Sequence, residues 1–157
     1  MMRLREYLTV LLICLWLGSL PLASQDVSFK SSPLRGIKTV AVDVEKLSEE
    51  AVKIGLTEEK IRASVEPSLR REGIVVANDQ TYPCLYIKLS VTGPACSIRV
   101  ELREEAVLAR ITLPFRVTTW YAESTEAHGG DSGKVIAALG ERLNGFIRDY
   151  WKANPKT

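Results

Sequence analysis

The chain has 157 residues, 46% of them apolar, with 21 Lys and Arg against 19 Asp and Glu. That is ordinary globular usage and excludes a disordered chain, a collagen-like repeat and a polytopic membrane protein. A formal charge of +2 also argues against a dedicated nucleic-acid binder, which needs a clear basic excess over the phosphate backbone.

Residues 8–17 (LTVLLICLWL) form an apolar run behind Arg3 and Arg5. Gly18, Ser19 and Pro21 interrupt it, and the stretch Leu22, Ala23, Ser24 offers small residues for cleavage before Gln25. This three-part layout predicts a secretory signal peptide over residues 1–24, and therefore an exported protein, periplasmic or secreted. The alternative is an uncleaved anchor, because residues 7–23 are uncharged and sit at the short end of what spans a bilayer. A lipid anchor at Cys14 fails because Ile13 stands where a small residue is needed.

Residues 25–36 are polar and contain Pro33, which predicts an extended leader. Residues 37–44 (IKTVAVDV) predict a first strand from their β-branched alternation. Residues 45–55 are charged and end in Gly, a loop with a helical turn. Residues 57–72 predict a helix, with Thr57 as its cap and Glu58 and Glu59 favourable in its first turn. Leu56 and Ile61 have the spacing of a hydrophobic staple, and Ile61, Val65 and Leu69 make one apolar stripe. Pro67 falls on the polar side, where it predicts a bend rather than a stop. Gly73 supplies a left-handed cap, and residues 74–77 a second strand. Strand, helix, strand predicts a βαβ unit with parallel strands and a right-handed crossover.

Leu85, Ile87, Leu89 and Val91 alternate with Tyr86, Lys88 and Ser90; Ile98, Val100 and Leu102 alternate with Arg99, Glu101 and Arg103. These are two half-buried strands joined at Thr92, Gly93 and Pro94. Residues 111–115, with Pro114, predict a turn, residues 116–123 a fifth strand, and residues 124–133 a polar, Gly-rich loop. Residues 133–152 predict a long helix capped by Asp131 or Ser132. Seven apolar residues from Val135 to Tyr150 fall within one arc of about 120°. Two helices with single stripes cover one sheet face. The fold class is α+β, a two-layer sandwich: a mixed sheet of about five strands, a βαβ unit followed by antiparallel strands, with two helices on one face. Residues 37–153 form a single domain.

The chemical motifs are thin. Gly130, Asp131, Ser132, Gly133 copies the nucleophile string of trypsin-like proteases, but that chemistry needs a triad and a two-barrel fold. The same loop has one residue too few for a phosphate-binding loop, and Val135 replaces the magnesium-binding hydroxyl. His128, near Glu123, Glu126 and Asp131, lacks the spacing of a metal site and is expected as a solvated loop side chain. In the hairpin, Cys96 lies near the turn and Cys84 at the far end, about 20 Å away at about 3.3 Å per residue. A disulfide needs Cα atoms within about 7 Å, so two free, partly buried thiols are expected. No metal and no cofactor are expected.

Trp120 and Tyr121 are adjacent in a strand and point to opposite faces. With Trp120 on the wet face, it joins Tyr86, Arg99 and Arg103 in the aromatic–arginine mixture typical of interfaces. The layout resembles small α/β domains of bacterial envelope assembly proteins, an analogy at the level of fold. The expectation is an exported, non-catalytic binding or assembly module of the bacterial cell envelope, acting through the open sheet face or a sheet edge. Its partner is an envelope protein. Membrane contact comes only through the signal segment if that stays uncleaved. The alternatives are a small secreted enzyme with a site near the 123–134 loop, with His128 and Asp131 as candidates, and a small-ligand carrier with a pocket between helices and sheet.

Overall fold

A computed structural model describes residues 32–78, 83–108, 110 and 112–155. The predicted signal peptide and the leader up to residue 31 lie outside the described residues. The elements are a 3-10 turn at Ser32–Leu34, β1 (Thr39–Val44), α1 (Glu49–Lys53), α2 (Glu58–Arg71), β2 (Val75–Ala77), β3 (Cys84–Thr92), β4 (Ala95–Val107), β5 (Pro114–Ala127) and α3 (Ser132–Ala153).

Local chemistry sets the helix ends. The Thr57 hydroxyl accepts from the Lys60 N–H at 3.2 Å, satisfying one of the orphan donors of the first turn. At the other end Gly73 takes φ 81°. Its N–H donates to the Arg70 carbonyl and the Ile74 N–H to the Leu69 carbonyl, which is the paired closure of a Schellman motif. Pro67 sits inside α2 without ending it. Ile61, Val65 and Leu69 are fully buried, so the stripe holds the helix on the sheet whatever the proline costs.

The sheet has five strands in the order β2-β1-β3-β4-β5. β1 pairs in parallel with both β2 and β3, while β3–β4 and β4–β5 are antiparallel. The β3–β4 connection is a two-residue turn, with Thr92 opposite Ala95 and Gly93 at φ 56°, as a tight hairpin requires. α2 and α3 lie on one face, and their stripes meet Val42, Ile87, Ile98, Val100 and Leu102 in a continuous core. Among the described residues, no helix lies on the other face. The mixed five-stranded sheet with helices on one side is therefore the predicted architecture.

Three details differ from the expectation. β5 begins at Pro114 and runs to Ala127, so neither the turn at 111–115 nor the loop at 124–133 has its predicted bounds. β5 is an edge strand. It can start on a proline, and its polar end pairs by backbone with β4 without any apolar alternation to announce it. The loop before α3 shrinks to residues 128–131, where Asp131 Oδ1 accepts from Gly133 N at 2.7 Å and caps the helix. Finally, residues 32–36 are not an extended leader. Leu34 is fully buried in the core, and Asn154 clamps the turn, donating to the Leu34 carbonyl at 2.8 Å and accepting from Gly36 N at 2.7 Å.

One irregularity bears on the site. Leu102 pairs with Trp120 but Arg103 pairs with Thr118, so Thr119 is an extra residue in β5. A bulge of this kind shifts every side chain beyond it to the other face.

Candidate functional site on the open sheet face

The residues of the open face come from strand parity. Asp43, Tyr86, Glu101 and Tyr121 form one row across β1, β3, β4 and β5, with Lys88, Arg99 and Glu123 in the row beside it. Arg99, Glu101 and Arg103 are two residues apart along β4, so all three project from the same side.

Glu101 is the centre. It is 6% exposed, although no helix among the described residues covers this face, because its neighbours close over it. Arg99 Nε lies 2.5 Å from Oε1 as an ion pair. Arg103 Nε donates to Oε2 at 2.8 Å, and the Thr118 hydroxyl donates to the same oxygen at 3.1 Å. Each guanidinium then lies on an aromatic ring: Arg103 Cζ is 3.3 Å from the Tyr86 centroid and Arg99 Cζ 5.4 Å from that of Tyr121. Arg99 also reaches Glu123 at 3.8 Å. The five side chains Tyr86, Arg103, Glu101, Arg99 and Tyr121 thus form one ladder, aromatic at both ends.

The electrostatics follow from this geometry. Burial works to raise the Glu101 pKa. The Arg103 hydrogen bond and charge, the Thr118 hydroxyl and the Arg99 charge outweigh it and hold the carboxyl below its ordinary value. Burial likewise opposes the charge on Arg103, and Glu101 more than compensates. Burial, then the Glu45 charge, raise Tyr86, so its phenol stays protonated and polar at neutral pH.

Of the four surface candidates, Tyr86, Arg99 and Arg103 lie together on this face. Trp120 does not: it is 4% exposed and faces α3. Its Nε1–H donates to Asp149 Oδ2 at 3.2 Å, and its ring meets Phe146 edge-on at 5.2 Å. Tyr121, 53% exposed, takes the place on the open face. The bulge at Thr119 is the cause, since an unbroken alternation from Thr118 puts Trp120 on the wet side. Sequence reading also left out Glu101 as the organising charge, although the alternation Arg99, Glu101, Arg103 was there to be read.

His128 and Asp131 serve the backbone. His128 is 2% exposed rather than solvated, because its loop folds back on the β3–β4 turn and its N–H donates to the Pro94 carbonyl at 2.9 Å. Its Nδ1 accepts from Gly130 N at 2.9 Å. Among the described residues no group of three His, Cys, Asp or Glu is placed to hold a metal ion. An open groove of about 560 Å³ runs between β5 and α3, lined by Trp120, Tyr121, Glu123, Arg142, Arg148 and Asp149. Its walls are charged, unlike the apolar pocket that a small-ligand carrier requires.

Cys84 lies opposite Arg103 and Cys96 opposite Val91, and both are buried free thiols. Burial, helped by Asp43, pushes Cys84 up to about 11, and burial also raises Cys96. Thiolate is the reactive form, so alkylation at neutral pH is expected to leave both residues unmodified in the native protein. Both should be modified after denaturation, as read by peptide mass spectrometry. Rapid native labelling of Cys84 would contradict the burial described.

No protein-family model matches the chain, and no curated protein matches it. Among solved structures, a PelC dodecamer from Paraburkholderia phytofirmans is 16% identical, with 74% of this chain and 87% of that chain covered and a TM-score of 0.41. A minor lipoprotein from Acinetobacter baumannii is 8% identical, with 73% and 87% covered and a TM-score of 0.27. Likeness at these levels carries no argument about what this chain does. Among the described residues no helix is long and apolar enough to cross a membrane.

Proposed function

We propose that the protein is an exported, non-catalytic binding or assembly module of the bacterial cell envelope, whose protein partner docks on the open sheet face. One observation carries the reading: Tyr86, Arg103, Glu101, Arg99 and Tyr121 are held in a bonded ladder on a face that no helix among the described residues covers. Tyr and Arg supply most binding energy at interfaces, and side chains already immobilised lose little entropy when a partner arrives. Export rests on the arrangement of residues 1–24.

The test is capture from an envelope extract by wild type, Tyr121→Ala and Lys60→Ala, the last on the helix layer. A partner held by wild type and Lys60→Ala but lost with Tyr121→Ala supports the reading, and equal capture by all three overturns it. N-terminal sequencing of the exported protein checks the leader, with Gln25 the expected first residue.

A further inference from the structure

The outer edge of β5 carries a row of backbone groups that the open-face reading does not use. β5 ends the sheet, and among the described residues it pairs only with β4. His128 N–H donates to the Pro94 carbonyl at 2.9 Å, one step beyond the pair Ala95 and Ala127. Hydrogen-bonded and non-bonded pairs alternate along an antiparallel ladder. Ala122, Ser124 and Glu126 therefore bond toward β4, while the N–H and C=O groups of Tyr121, Glu123, Thr125 and Ala127 point away from the sheet. Such edges are normally blunted by lysine, proline or a bulge. Residues 120–127 contain neither lysine nor proline, and the bulge at Thr119 lies before them.

Two polar atoms beside this edge identify what pairs with it. Arg142, on the α3 wall of the groove with Ala122, has a buried Nε without a hydrogen bond and forms no ion pair among the described residues. Ser124 Oγ is buried without a hydrogen bond as well. The other charges of the groove are engaged or exposed: Glu123 reaches Arg99, Arg148 reaches Asp149, and Glu141 is exposed. Buried groups left without partners call for an explanation. A two-fold axis at Ser124 supplies both partners at once. It pairs residues 121–127 with the same residues of a second copy, the whole regular length of the edge. Ala122, Ser124 and Glu126 project on the helix side, as Trp120 does. Ser124 then meets its own copy, and Glu126 of the second copy lies opposite Ala122, beside Arg142. Glu123 faces Thr125 of the second copy, and the two Glu123 side chains are diagonal, each near its own Arg99. An axis at Glu123 instead sets that carboxylate directly against itself, and an axis at Ala122 leaves only alanine beside Arg142.

We infer that the protein forms a symmetric dimer by antiparallel pairing of β5 with β5, Arg142 of each copy meeting Glu126 of the other. The backbone row supplies the bonds, and the charged and hydroxyl contacts fix the register. The axis stands perpendicular to the sheet, so the helix layers share one side and the two open faces join on the other. The dimer does not rest on the open-face reading, because its contacts run along the strand edge and the helix side.

The experiment is sedimentation velocity of residues 25–157, which retain every core side chain from Leu34 onward. A dimer that dissociates on dilution is expected. Glu126→Lys and Arg142→Glu should each raise its dissociation constant about tenfold or more, because like charges then face each other at both contacts. Mixing the two variants should restore the dimer, since a mixed pair has opposite charges at both contacts. Recovery on mixing also shows that neither variant is misfolded. Thr125→Pro removes an outward N–H, a change that an edge strand tolerates, and should give a monomer that circular dichroism shows to be folded. Lys60→Ala should leave the dimer unchanged. A wild type that stays monomeric across the micromolar range overturns the inference and leaves the edge to a strand of another protein. A dimer that survives Thr125→Pro or both charge variants overturns it too, as does failure to recover on mixing. Capture through the Tyr121 side chain is read separately, so either reading can fail alone.

Discussion

Phe146→Ala is expected to lower the unfolding free energy by about 4 kcal/mol, the usual cost of emptying a fully buried aromatic site. Phe146 is completely buried and sits where α3 meets the sheet, edge-on to Trp120 at 5.2 Å and tilted against Tyr150 at 6.3 Å. Few neighbours there can collapse into the space. Trp120 is held by its bond to Asp149, and Tyr150 by its hydroxyl, which donates to the Ile37 carbonyl at 2.8 Å. The cavity therefore stays largely open. The denaturant midpoint should fall with little change in slope. Trp120→Phe is the companion variant. It keeps most of the apolar contact but removes the donor to Asp149, which retains Lys152 at 3.3 Å, so its cost is about 1–2 kcal/mol. If Phe146→Ala cost no more than this, α3 would not be anchored at this point.

Glu101→Ala is expected to cost about 2–3 kcal/mol, somewhat less than breaking a fully buried ion pair, because both guanidiniums keep part of their contact with water. The loss comes from what remains behind. Arg99 and Arg103 flank position 101 on one strand face, and without the carboxylate their charges repel each other across it. Glu101→Gln keeps the shape and removes only the charge, so it isolates the electrostatic part. The folded pKa of Glu101 lies below its unfolded value. Its contribution is therefore complete above the ordinary carboxylate pKa of about 4.3 and is lost as the pH falls through the lower folded value. The stability gap between wild type and Glu101→Gln should be full at neutral pH and narrow in acid. A gap that is constant across that range would mean that the charge contributes nothing.

Both variants touch parts of the fold that differ in how far local sequence reveals them. The stripe of α3, including Phe146, was readable because helical periodicity over twenty residues leaves one apolar arc. The partner of that stripe was not. Whether Trp120 or Tyr121 meets Phe146 depends on one inserted residue at Thr119, and nothing in its own side chain marks a bulge. The ladder around Glu101 was half readable. Period-two alternation puts Arg99, Glu101 and Arg103 on one face, but which aromatic rings lie beside them depends on strand order and register.

Residues close in sequence, reporting on their own backbone, settled much of this protein in advance: Thr57 and Gly73 bound α2, Gly93 and Pro94 turn the hairpin, and two single-stripe helices leave one sheet face wet. Capping bonds, steric limits on φ and periodicity act over a few residues, so they are written locally. Long-range pairing was invisible until the chain folded. It placed Trp120 in the core, extended β5 to Ala127 along a sheet edge, buried His128 under the β3–β4 turn and drew Leu34 into the core through Asn154. Each of these joins residues distant in the chain, and its free energy exists only once both partners have been brought together.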